Sequence, residues 1–231
     1  MKTRPWLPYV LPMAVYMAFL TMQSSTNLLW LYPVKVLVVA ALLWWFRREY
    51  IELRPAWSWL GIAVGLLAIV FWIALDSYYW KTSEAQLAFE RWISGVMKWP
   101  APTGGLSAPF DPTTITPLLL RYGFITCRVA GAVLVVPVME ELFWRAFAIR
   151  WLVDENFQSV PVGRFTWSSF AITTVFFGLE HDQWLVGLIC GALYNWLLYR
   201  TRSVWACIIA HAVSNAALAA WVLSRGDWKF W

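Results

Sequence analysis

Charge is what this sequence has least of. Only 13% of its 231 residues are Asp, Glu, Lys or Arg, while 61% are hydrophobic. Soluble domains carry about 25% charged and roughly 45–50% apolar residues. The shortfall excludes an ordinary water-soluble domain and fits a chain dissolved in lipid, where ionisable groups are expensive. Cysteine is also scarce. Cys127, Cys190 and Cys207 all lie in apolar segments, without C-x-x-C or any metal spacing, and read as small core residues. The basic residues give a net charge of +5 but flank apolar runs instead of forming a patch. That excludes nucleic acid as a partner and points to membrane lipid. No internal repeat or low-complexity tract is visible, and there is no H-E-x-x-H.

What remains is a succession of apolar runs. A span needs about 20 mostly apolar residues. Runs of this kind cover Trp6–Met22, Leu28–Phe46, Trp57–Leu75, Leu118–Pro137, Phe165–His181, Trp184–Tyr199 and Val204–Leu223. The first is too rich in Pro and Tyr for a signal peptide and has no small-residue cleavage site. The fourth runs into a charged helix, Val138–Val153, and Pro137 either kinks one long helix or separates two. The reading is an all-α bundle of seven or eight transmembrane helices in a single membrane domain, 1–231. Residues 1–117 hold the first helices and a polar insert, and 118–223 hold every chemical motif. Within the insert, Lys81–Lys98 has the periodicity of a helix lying on the membrane surface, and Pro100–Pro109 reads as loop. Many of the 19 tryptophans sit near run ends, as in an interfacial belt. Lys35 falls close enough to a run end to snorkel.

Lys and Arg also set the expected topology. Lys2, Arg4, Arg47, Arg48, Arg54, Arg150, Arg164, Arg200 and Arg202 fall on one side if Leu118–Val153 crosses once. The uncharged connection Gln23–Asn27 then lies outside. This predicts a protein of the cytoplasmic (inner) membrane with its N-terminus in the cytoplasm and His181 toward the other face.

Ionisable groups inside apolar segments are functional candidates. Three clusters qualify: Glu140-Glu141-Leu-Phe-Trp-Arg145, Phe177-Gly-Leu-Glu-His181 and His211-Ala-Val-Ser-Asn215. Both histidines of the chain fall in them. Imidazoles with acids nearby form a proton-handling set. Glu141 and Arg145, four residues apart, can pair on one helix face, and His211 and Asn215 share a face for the same reason. Phe177 stands one turn before His181 and can buttress its ring. Packing the three helices together would bring Glu140, His181 and His211 to one pocket.

In order and spacing the clusters resemble the motifs of the CAAX-protease and bacteriocin-processing (CPBP or Abi) family. That family includes the intramembrane endopeptidase that trims prenylated CAAX proteins. Its pattern is Glu-Glu-x-x-x-Arg, Phe-x-x-x-His and His-x-x-x-Asn, and the resemblance covers about Leu118–Leu223. One departure is Trp144-Arg145-Ala146, where the family usually has Phe-Arg-Gly. The Trp-rich first motif is similar to the branch found alongside bacterial exosortase systems. The resemblance implies an intramembrane endopeptidase acting on a membrane-proximal peptide or protein. It makes Glu140 the general base, has His181 hold the water, and has His211 and Asn215 donate to the oxyanion. Glu141 and Arg145 then orient the base.

The resemblance implies no cofactor, although Glu140 with the two histidines is also a sensible zinc set. Two other function classes fit some of the residues. A non-catalytic relative would use the same clusters as interhelical glue and act as a membrane chaperone or immunity factor. A proton-coupled transporter fits Pro137 and the acid pair, but it predicts a repeat that is absent.

Overall fold

The computed structural model describes residues 4–76, 110–181 and 183–230. Among them the chain is helical without a strand. Seven helices follow one another: α1 Leu7–Met22, α2 Leu28–Trp45, α3 Trp59–Asp76, α4 Leu118–Trp151, α5 Trp167–Leu179, α6 Trp184–Thr201 and α7 Val204–Arg225. Three of them, α2, α4 and α7, are long and apolar enough to cross a membrane, and α1, α3 and α5 are shorter apolar helices. This is a helical membrane protein. The surface helix expected over Lys81–Lys98 and the Pro100–Pro109 loop lie outside the described residues.

The helix ends follow from local chemistry. A proline stands in the first turn of α1, where its missing N–H costs nothing. Thr166 caps α5 by accepting from the Ser169 N–H, and Ser203 caps α7 by accepting from the Ala206 N–H. Gly226, at φ 65°, takes the left-handed turn that ends α7.

Pro137 does not divide α4. Leu118–Trp151 is one helix of 34 residues, about 50 Å at 1.5 Å per residue. It carries two π segments, Gly131–Val135 just before the proline and Leu142–Ala148 just after the acid pair.

Small residues set the packing. Gly61 and Gly65 of α3 lie against the backbone of α7, where a Cβ would meet the Ala206 carbonyl at 2.7 Å and the Ala210 carbonyl at 2.4 Å. Gly187 and Gly191 of α6 lie close to α5, where a Cβ would meet Gly178 at 3.0 Å, the Phe177 ring at 3.1 Å and the Thr174 carbonyl at 3.3 Å. Such four-residue glycine spacings let membrane helices touch backbone to backbone. The core between them includes Ala206, Cys207, Ala210, Tyr194, Leu197, Leu198 and Ile149.

One end of the bundle is tied together by polar groups. Buried Arg150 bonds Glu52 in the α2–α3 connection, the Val160 carbonyl at 2.8 Å and the Ala146 carbonyl at 2.9 Å. The Tyr9 hydroxyl donates to Glu52 at 2.7 Å, and Tyr50 donates to the Pro8 carbonyl at 2.9 Å. Gly163 lies against Arg202 and the Leu198 carbonyl. The connections that carry Arg47, Arg48, Arg54, Arg150, Arg164, Arg200 and Arg202 therefore meet at one end. Exposed Trp44, Trp45, Trp57 and Trp59 stand at that end too, as an interfacial belt requires.

Lys35 departs from expectation. It does not snorkel but is buried, 1% exposed, and lines a cavity. The cause is local: its ammonium lies 4.5 Å from the Tyr16 ring centroid and 4.6 Å from that of Tyr32, and donates to Gln23 Oε1 at 3.1 Å.

The glycine contacts make a direct prediction. Gly65→Ala drives a methyl into the Ala210 carbonyl and should cost about 1–3 kcal/mol, as overpacking does. Gly123→Ala, where nothing lies within 4 Å, should be neutral or slightly stabilising. Unfolding of both variants in detergent, followed by circular dichroism, checks the difference.

Candidate active site

The site begins with the register of α4. The Val136 N–H bonds the Gly131 carbonyl, five residues back. In that register the Ala132 carbonyl would need the N–H of residue 137, and Pro137 has none. Asn215 of α7 supplies the donor: its Nδ2 bonds the Ala132 carbonyl at 2.8 Å. Extra residues of this kind re-aim side chains and are frequent at functional sites. Glu140 and Glu141 lie on the short α-helical stretch between the two π segments.

The two adjacent acids have different surroundings. Glu141 is fully buried, and its Oε1 accepts from Arg145 Nη1 at 3.2 Å and from His211 Nδ1 at 3.0 Å. Its Oε2 faces Arg145 Nε at 3.2 Å. The Arg145 guanidinium lies 4.3 Å from the Phe177 ring centroid and 5.4 Å from that of Tyr194. Because a carboxylate accepts, the proton of His211 sits on Nδ1, and Nε2 faces Glu140 Oε2 at 4.0 Å. Tyr194 stacks on the His211 ring at 5.5 Å. Ser214 donates to the His211 carbonyl at 2.8 Å and takes the Tyr194 hydroxyl proton at 2.8 Å. The ring is thus held at an edge, on a face and through its backbone.

Glu140 is buried, yet its Oε2 has no hydrogen-bond partner among the described residues. It lines a cavity of about 330 Å³ together with Glu180, His181, His211, Asn215 and Phe177. His181 Nδ1 bonds the Phe177 carbonyl at 2.7 Å, so Nδ1 carries the proton and Nε2 is the ring's acceptor. Trp72 meets the His181 ring edge-on at 5.4 Å, and Phe177 lies 4.9 Å from it. Glu180 accepts from the Trp144 indole N–H at 3.0 Å.

The donor atoms of Glu140, Glu180 and His181 lie within 4.8 Å of one another. Two carboxylates and an imidazole are suitable zinc ligands, and three protein ligands leave a position for water. This set differs from the Glu140–His181–His211 set that the sequence offers as its zinc alternative. His211 is turned to Glu141 by its Nδ1 bond, and Glu180 takes its place.

The structure therefore brings Glu140, Glu141, Arg145, Phe177, His181, His211 and Asn215 to one centre. Sequence reasoning overlooked how Asn215 and Glu141 are used. Asn215 spends one N–H on α4, and Glu141 grips His211 as well as Arg145. It also overlooked Trp144 as the partner of Glu180. The signal for that pair was the departure at Trp144: a larger ring with an N–H needs an acceptor when buried.

Two substitutions test the network. Arg145→Met leaves the Glu141 carboxylate short of a cation in a dry core and should cost about 3–5 kcal/mol. Asn215→Leu removes the donor to the Ala132 carbonyl and should cost about 1–3 kcal/mol. Reversible unfolding in mixed micelles measures both.

A comparison with protein families matches residues 122–217 to the type II CAAX prenyl endopeptidase Rce1-like family. No match was found among curated proteins or among solved structures. The matched segment contains all three motifs and all the residues of the centre except Trp72. Over residues 122–217 this chain is similar to the Rce1-like family of type II CAAX prenyl endopeptidases.

Proposed function

We propose that the protein is an intramembrane endopeptidase that hydrolyses a peptide bond of a membrane-proximal substrate with a water activated by Glu140. The observation that carries this reading is the difference between the two acids. Glu141 is paired with Arg145 and His211 away from the cavity, whereas Glu140 lines the cavity and its Oε2 accepts no hydrogen bond among the described residues. A base must have an unsatisfied lone pair within reach of the water it deprotonates.

The steps use residues of the cavity wall. Glu140 takes a proton from water, and the resulting hydroxide attacks the scissile carbonyl carbon. His181 Nε2 accepts the water's second hydrogen and fixes its orientation. The negative charge that develops on the carbonyl oxygen is met by His211 Nε2–H and by the second N–H of Asn215. For that donation His211 carries both ring protons, and the Glu141 carboxylate at Nδ1 balances its charge. The C–N bond then breaks as Glu140 returns its proton to the leaving amine. This route uses no cofactor.

The cluster of Glu140, Glu180 and His181 favours a second reading. A zinc ion held there would supply a more acidic water. The two readings share Glu140 and part at the chelator.

The test is cleavage of a membrane-anchored peptide library by purified protein in liposomes. Glu140→Ala and His211→Ala should each lower the rate by about 10²–10⁴-fold, the range for lost acid–base and oxyanion groups. Activity should persist in EDTA, and loss restored by zinc would establish the metal reading. Wild-type protein that is folded and cleaves nothing would sink the enzyme reading in favour of a chaperone-like or immunity role. Proton-driven solute uptake in the same liposomes would favour a transporter.

A further inference from the structure

The cavity belongs to one half of the bundle. α1 lines it from Met13 onward, α3 from Ala68 and α7 from His211, while α2 contributes Tyr32 and Lys35 of its first half. Gln23, which follows α1, and Phe230, beyond the end of α7, line it as well. These parts all point away from the end where the arginine-bearing connections meet. That end is closed: Arg150 bonds Glu52, and the Tyr9 and Tyr50 hydroxyls tie α1 to the α2–α3 connection.

The length of α5 sets the depth of the centre. The helix starts beside the exposed rings of Phe165 and Trp167 at the arginine end. Its 13 residues reach only about 20 Å, against a hydrocarbon core of about 30 Å. Glu180 and His181, just past its last turn, therefore stop about 10 Å short of the far surface. Non-helical backbone at such depth is tolerated only where it is buried in protein or lines water, and both residues line the cavity. With the arginine end closed, water reaches them from the opposite end.

Charge assigns the compartment. Lys2 and Arg4 precede α1, Gln23–Asn27 carries no charge, and Arg47, Arg48 and Arg54 lie between α2 and α3. Connections rich in Lys and Arg stay in the cytoplasm, and the first helix carries the most weight. Lys81, Arg91, Lys98, Arg121, Arg225 and Lys229, which follow α3, begin α4 or end the chain, are fewer than the basic residues of the closed end. The open end is then the one turned away from the cytoplasm.

We propose that the centre is served from the non-cytoplasmic face, and that its substrate is a membrane-anchored chain whose scissile segment has already crossed the bilayer, cut about 10 Å below that surface. The assignment rests on the peptidase reading for its substrate class, but its first test reads access, not turnover.

Ser25→Cys, Arg48→Cys and Leu218→Cys are each introduced into the full chain, and labelling above that of the unsubstituted protein is followed with a charged, membrane-impermeant maleimide. Ser25 and Arg48 are exposed on connections at opposite ends, and Leu218 lines the cavity. Right-side-out and inside-out vesicles from the same bacterial cells are compared. Ser25→Cys and Leu218→Cys should label at least tenfold faster in right-side-out vesicles, and Arg48→Cys at least tenfold faster in inside-out ones. The reverse pattern overturns the proposal, as do equal rates from both faces or a Leu218→Cys that reacts no faster from the side of Ser25. Where Leu218→Cys does not fold, the two exposed positions still decide which face the open end meets. A second arm places one cleavable segment on either side of a single-span anchor in cells. Cutting only of the non-cytoplasmic version is expected, and cutting of the cytoplasmic version overturns the proposal. Labelling as expected without cleavage of either reporter keeps the access side and counts against the peptidase reading alone.

Discussion

A carboxylate in the dry interior of a membrane bundle is tolerable only when its lone pairs are taken and its charge is met. Glu141 meets the second condition in full and the first at one oxygen. Arg145, one turn along the same helix, donates to Oε1 and lies 3.2 Å from Oε2, and His211 reaches Oε1 from α7. This pair decides much of what surrounds it. Arg145 can be buried because Phe177 and Tyr194 present ring faces to its guanidinium. Tyr194 in turn stacks on His211 and holds it through Ser214. The ion pair thus joins α4, α5, α6 and α7 at one point, and the glycines of α3, α5 and α6 let their backbones come close enough for it to form.

The same arrangement divides labour between two neighbouring glutamates. Adjacent residues on a helix point about 100° apart, so Glu140 and Glu141 cannot share an environment. One is turned into the packed interior and the other into the cavity. Their chemistry diverges for that reason alone: a paired carboxylate orients, and an unpaired one can take a proton.

Much of this was legible in the sequence, for physical reasons that differ from part to part. The helices could be read because lipid demands long apolar runs, and the runs at Leu28, Trp184 and Val204 begin where α2, α6 and α7 begin. The centre could be read because ionisable residues are so rare in such runs that Glu140, His181 and His211 had few places to go. What could not be read depends on the register of helices against each other. The π segments leave no periodic trace apart from Pro137. The fate of Lys35 turned on Tyr16, Tyr32 and Gln23, none of which sequence spacing alone ties to it. The exchange of His211 for Glu180 in the donor set followed from a bond between helices, not from order along one.

The bond from Asn215 to the Ala132 carbonyl has a consequence for how Glu140 is aimed. A π segment holds one residue more than the α-helix it interrupts, so erasing it would rotate everything beyond it by about 100°. Glu140 lies eight residues past that carbonyl. Its direction therefore depends on a register that a side chain of another helix helps to hold. Asn215 meets the carbonyl that this register leaves without a backbone donor, and in this register the acid faces the cavity. The amide that closes the gap left by Pro137 thus also sets which way the cavity-lining acid points.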